Sequence, residues 1–141
     1  MDYSEERRFV NNYIKKRRRE RLLFELTTPE KRYDGASRFC HSSAELIDQS
    51  RVLMQGEDLD HRKEFKDFVK KHDELCFVLS PDFCLDGQHM PLKAAVAQAA
   101  MSTEAAVIIG SSFAVVFGEA EKGGRDKFLL AEKAGILVCG D

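Results

Sequence analysis

The sequence predicts an α+β protein in which an antiparallel C-terminal meander of four strands, or five, packs against N-terminal helices. Up to residue 73 the apolar residues recur at three-and-four spacing, the period of amphipathic helices. From residue 75 onward, short β-prone runs alternate with turns built from Gly, Ser and Pro. A single Ala-rich segment, 92–101, interrupts that second half as a helix. Segregated helices and strands of this kind predict one domain over 1–141, mainly helical over 1–73 and mainly β with one Ala-rich helix over 74–141.

The elements follow in order. Residues 5–26 read as one helix, because Phe9, Val10, Tyr13 and Ile14 share a face, Ser4 can act as N-cap and Glu5 and Glu6 suit the first turn. Pro29 ends it by pushing the preceding residue out of helical geometry. Residues 29–37, with Tyr33-Asp34-Gly35, read as an ordered loop, and 36–47 as a second helix carrying Phe39, Ala44, Leu46 and Ile47. Residues 51–54 are too few to classify. Residues 58–73 form a third helix with Leu59, Phe65, Phe68 and Val69 as its buried stripe. Strands are expected at 75–79, 105–109, 113–117, 128–131 and 136–139. Gly110-Ser111-Ser112 marks a hairpin, and Pro91 opens the Ala-rich helix where proline is best tolerated.

In the run 113–117, Phe113, Val115 and Phe117 lie on one face and Ala114 and Val116 on the other. A sheet with one wet face would alternate apolar and polar residues, so both faces of this one are expected to be covered. Upstream helices can cover one face. The other needs the remaining helix or a second subunit, and a homodimer is the expectation, since symmetric pairing commonly buries such a surface. The alternative is a monomer in which the long N-terminal helix crosses the second face.

Composition bounds the function. The chain has 141 residues, 43% hydrophobic and 33% charged, with a net charge of -2, which offers no global attraction to nucleic acid or anionic membranes. No apolar run reaches the ~18 residues that span a bilayer, and the N-terminus lacks the apolar core of a secretory signal. Four irregularly spaced cysteines (Cys40, Cys76, Cys84, Cys139) are expected to be free thiols in the cytoplasm.

Residues 80–91 concentrate the chemistry. Asp82, Cys84, Asp86 and His89 lie there among Pro81, Gly87 and Pro91, between a strand and a helix, where a scaffold fixes functional groups without burying them. As a pocket, this loop would hold a small polar ligand against Arg38, Ser111 or Ser112. As plain structure, Asp82 and Asp86 are turn formers. His72, Cys76, Cys84 and His89 are zinc-type ligands, but their spacing lacks a Cys-x2-Cys knuckle, and Cys76 belongs to an apolar strand. Cys84 with His89 suggests a thiol–imidazole pair that the neighbouring carboxylates oppose. The glycines at 118 and 123–124 precede a strand and so match no phosphate-binding fingerprint. No metal and no cofactor is predicted. The basic run 15–21 splays around its helix without an aromatic ladder, which suits a solvated face better than a nucleic-acid platform.

The expected function is therefore a small non-catalytic protein-binding or accessory domain that self-associates. The segments 32–41 and 77–91 read as fixed motifs of a bacterial protein family, and an accessory or immunity-type protein is the role expected of the whole domain. An enzyme or small-ligand binder using the 80–91 loop is the alternative, and weak nucleic-acid contact through the basic helix the second alternative.

Overall fold

A computed structural model of the chain describes residues 2–102, 105–121 and 124–132. Its helices are α1 (Ser4–Tyr13), α2 (Lys16–Leu26), α3 (Pro29–His41), α4 (Ser43–Leu46), α5 (Lys63–Lys71) and α6 (Leu92–Met101). Its strands are β1 (Val52–Gln55), β2 (Leu75–Leu79), β3 (His89–Pro91), β4 (Ala106–Ile109), β5 (Phe113–Glu121) and β6 (Gly124–Ala131). The strands form one antiparallel sheet in the order β1-β6-β5-β4-β2-β3.

The α+β class is as expected, but the sheet has six strands rather than four or five. The two additional strands are short edge strands. β1 arises from the segment left unclassified and pairs Val52 with Leu130, far along the chain. β3 lies at the end of the 80–91 loop and pairs His89 with Phe77. Such strands owe their existence to a neighbouring edge, so their own residues carry little signal. The strand expected at 136–139 lies outside the described residues.

Three helix boundaries also differ from expectation. The helix expected over 5–26 is two helices, because Ile14 turns extended and bridges Ile47, while the Lys15 amide donates to the Leu46 carbonyl at 2.9 Å. The segment expected as a loop is α3, with Pro29 in its first turn and Gly35 in its interior. The third helix is shorter, a 3-10 turn at Leu59–His61 followed by α5.

Alternation along the strands sorts the core into two layers. On one face Leu79, Val107, Ile109, Ala114, Val116, Phe128 and Leu130 pack under Phe9, Val10 and Tyr13 of α1, Leu22 and Leu26 of α2, and Phe39 of α3. On the other, Val78, Ile108, Phe113, Val115, Phe117 and Leu129 pack under Phe65, Phe68 and Val69 of α5 and Leu92, Ala95 and Ala99 of α6. The small residues Ala114 and Val116 face the three-helix side, and the bulky Phe113 and Phe117 face the two-helix side. Each fully buried side chain of this size contributes roughly 1.5–3 kcal/mol. Both apolar faces are thus covered by helices of the same chain, which removes the ground on which a second subunit was expected. Among the described residues no helix is long and apolar enough to cross a membrane.

Candidate functional site

The 80–91 loop is built from its own polar groups. β2 ends at Leu79, and the Ser80 hydroxyl, itself buried, donates to the Ala105 carbonyl at 2.6 Å and accepts from the Asp82 amide at 2.9 Å. The Asp82 carboxylate accepts from the Cys84 amide at 2.9 Å, a side-chain-to-backbone turn. The amides of Leu85 and Asp86 donate to the Asp82 carbonyl, both at 3.0 Å, and Leu85 inserts into the core beneath. Gly87, at φ +84°, reverses the chain so that its amide reaches the Val78 carbonyl at 2.7 Å.

Asp86 carries the most consequential contact. Arg32 from α3 reaches it with two nitrogens, Nε to Oδ2 at 2.7 Å and Nη2 to Oδ1 at 3.0 Å. Asp86 Oδ1 also accepts from the Ser80 amide at 3.1 Å. The remaining Arg32 nitrogen, Nη1, lies 2.7 Å from Glu6 Oε2 and donates to the Leu26 carbonyl at 3.0 Å. A bidentate guanidinium–carboxylate pair of this kind is strong and directional. Glu6 is only 2% exposed, so Arg32 ties α1, α2, α3 and the loop together at a largely buried point.

The other expected site residues disperse. His89 is exposed on edge strand β3, its ring meeting the Phe77 ring edge-on at 5.2 Å. Cys84 is exposed, beside Phe83, which is 95% exposed. Cys84 and His89 share no hydrogen bond among the described residues. Arg38 pairs with Glu25 across α3 and α2. Ser111 and Ser112 lie in the β4–β5 turn, at the opposite end of β2, where the Ser111 amide and hydroxyl donate to the Glu74 carboxylate at 2.8 and 2.9 Å. At ~3.3 Å per strand residue that is roughly 20 Å from Ser80. Ser111 there lines a separate hollow of about 450 Å³ with Ser4, Glu5 and Arg8. Arg8, on the wall of that hollow, donates to the carbonyls of Gly110 and Ser111. The structure brings Asp82, Cys84 and Asp86 together in one loop, where the Asp86 carboxylate turns inward to Arg32 and the Asp82 carboxylate serves the turn at the Cys84 amide. Among the described residues no group of three or more His, Cys, Asp or Glu is placed to hold a metal ion.

A different surface is less committed. A cleft of about 620 Å³ opens between α5 and α6 on the outside of the two-helix layer. Phe65 and Val69 of α5 and Val96, Ala97 and Ala100 of α6 give it an apolar floor, and Lys66, Lys70 and Lys93 stand along it. None of these lysines makes an ion pair or side-chain hydrogen bond among the described residues. The two aspartates of the lining are engaged. Asp60 accepts from Lys127 Nζ at 2.7 Å, and Asp73 accepts from the Lys93 amide at 2.9 Å. α6 has only two polar side chains, Lys93 and Gln98, yet Ala94, Ala97, Ala100 and the 88%-exposed Met101 face outward. A helix apolar on nearly every side is ordinarily buried on every side. That mismatch is visible in the sequence, where the small side chains point equally well to close packing on the sheet.

Fold and site together define a three-layer α+β protein, helices over both faces of a six-stranded antiparallel sheet, with an open apolar cleft in its thinner helical layer. Comparisons with protein families, with curated proteins and with solved structures return no match to this chain.

Proposed function

We propose that this protein is a non-catalytic binding domain that docks a partner protein on the outer surface of α5 and α6. The observation that carries this reading is the cleft itself, apolar in its floor, with lysines that have no partner in the described chain. Exposed apolar area rimmed by polar groups is the usual mark of an interaction surface. The engagement of Asp86 by Arg32 supports the same reading, since a general acid or base must be free to meet a substrate. A cytoplasmic setting belongs to this reading. Cys40 and Cys76 sit in core layers on opposite sides of the sheet, where each behaves as a small buried hydrophobe.

The test is a complex isolated with the wild-type protein and then challenged by variants. Asp82→Asn and His89→Ala leave it intact, while Ala97→Glu, which puts a charge on the cleft floor, breaks it without lowering the thermal midpoint. Loss of the complex in His89→Ala with Ala97→Glu silent would move the site to the 80–91 loop.

A second reading rests on α2, where Lys16, Arg17 and Arg18 are exposed and make no ion pair among the described residues. Contact of this row with a polyanion would be sequence-independent and would fade with salt. Retention on a heparin column that is lost in Arg17→Glu/Arg18→Glu checks it.

A further inference from the structure

Resting on the partner-binding reading, we infer that the α5–α6 cleft receives an acidic amphipathic helix of another protein, its apolar stripe on Val69, Val96, Ala97 and Ala100 and its carboxylates on Lys66, Lys70 and Lys93. Four features of the cleft select that occupant.

The first is shape. The cleft runs between two helices of 9 and 10 residues, a trough about 15 Å long at 1.5 Å per residue. Side-chain ridges of a third helix fit such a trough over two to three turns, with interaxial distances of roughly 8–10 Å. The second is close approach. Ala97 and Ala100 are exposed and short, so a facing backbone can come near without displacing anything.

The third feature is charge. Lys66 and Lys70 are four apart on α5 and so lie on one side of it, while Lys93 stands on α6. The lining carries three lysines against two aspartates, and Asp60 is already paired with Lys127, which leaves an excess of positive charge. Lysine stems lie along apolar surface while their ammonium groups reach out, which suits carboxylates on the shoulders of an apolar stripe. The fourth feature disfavours a second copy. A two-fold contact of this cleft on itself would bring two patches with the same positive excess together, and like charges at an interface repel.

The experiment places a photoreactive benzophenone side chain at Ala97 of the full chain, and separately at Arg17 on α2 as a control. Each protein is irradiated in extract of the source cells, and the cross-linked peptide is sequenced. The expected adduct at position 97 is a segment with helical apolar periodicity and net negative charge. Its yield falls at least about tenfold in the Lys66→Glu/Lys70→Glu background and at roughly 0.5 M salt, where exposed charge pairs are screened. A basic or uncharged segment, a second copy of this chain, or a yield indifferent to charge reversal overturns the inference. If position 97 captures nothing while position 17 captures a protein, the acidic-helix inference fails and partner binding survives at another surface. If neither position captures a protein, both fail.

Discussion

Arg32 shows how a single side chain can take the chemistry of a promising loop out of circulation. Its guanidinium spans Asp86 on the loop, Glu6 on α1 and the Leu26 carbonyl at the end of α2. Removing one member of a buried ion network strands the others, at a cost of about 3–5 kcal/mol. Arg32→Met is therefore expected to lower the unfolding free energy by that order in urea titration, with the loss of amide protection concentrated in residues 80–88. Asp82→Asn, which keeps the turn-forming side-chain oxygen, is expected to change little. A second buried pair has a pH signature. Burial works to raise the Asp60 carboxyl, but the hydrogen bond from Lys127, with help from a backbone hydrogen bond and the charges of Lys127 and His61, outweighs it, so the group ionises below its ordinary 3.8. A carboxyl lowered in the folded state stabilises fully above its unfolded pKa and loses that contribution as pH falls through the folded one. Lys127→Met is expected to cost about 1.5–3 kcal/mol near neutrality. The gap to wild type should narrow as pH drops below about 4; a gap independent of pH would show that Lys127 acts through packing alone.

At the scale of elements, tertiary contacts move boundaries that local pattern places elsewhere. Residues 15–21 are all charged, so the apolar spacing lapses between Ile14 and Leu22. There the backbone of Ile14 leaves the helix to bridge Ile47, while the Asp48 amide donates to the Tyr13 carbonyl at 2.8 Å. No Pro or Gly lies near Ile14, so only the lapse of the apolar stripe hints at the break, and charged residues continue a helix well enough to hide it. Gly35 misleads in the opposite sense. Beside Asp34 it reads as a turn, yet it sits inside α3, where an added Cβ would lie 2.7 Å from Glu25 Cβ on α2. The glycine is there for the close approach of two helices. Alanine is intrinsically better in a helix by ~1 kcal/mol, but the steric displacement costs roughly 1–3 kcal/mol. Gly35→Ala is accordingly expected to lower the thermal midpoint, despite its helix propensity, and a rise would mean that α2 and α3 separate freely. The α6 helix is the legible case, its Ala-rich span and Pro91 start both recoverable from the chain.

For the whole molecule, the decisive fact is that one chain covers both faces of its sheet. Helices α1 to α4 lie over the Ala114 face and α5 and α6 over the Phe113 face, so among the described residues the central strands β4 and β5 leave no apolar face for a second copy. Folding stability is then expected to be independent of protein concentration, since mass action contributes only where association is linked to folding. Thermal midpoints measured across a hundredfold concentration range should coincide, and a midpoint that climbs with concentration would bring the second subunit back. What remains open to solvent is the outside of the thinner layer, where two short helices leave the cleft that carries the functional reading.

The sequence by itself determined the class of fold, the strands β2, β4, β5 and β6, the helix α6 and the fact that both faces of the sheet are covered. Those features are written in periodicity and turn residues, which act over a few neighbours and survive in any arrangement of the chain. Tertiary structure alone decided which helices cover which face, the edge strands β1 and β3, and the break at Ile14. It also decided the fate of Asp86, a candidate ligand when read beside Cys84 and His89 and a structural tie once Arg32 is folded against it. The partners that settle those questions lie dozens of residues apart, 54 in the case of Arg32 and Asp86, and no local pattern encodes a contact made only when α3 packs over the loop.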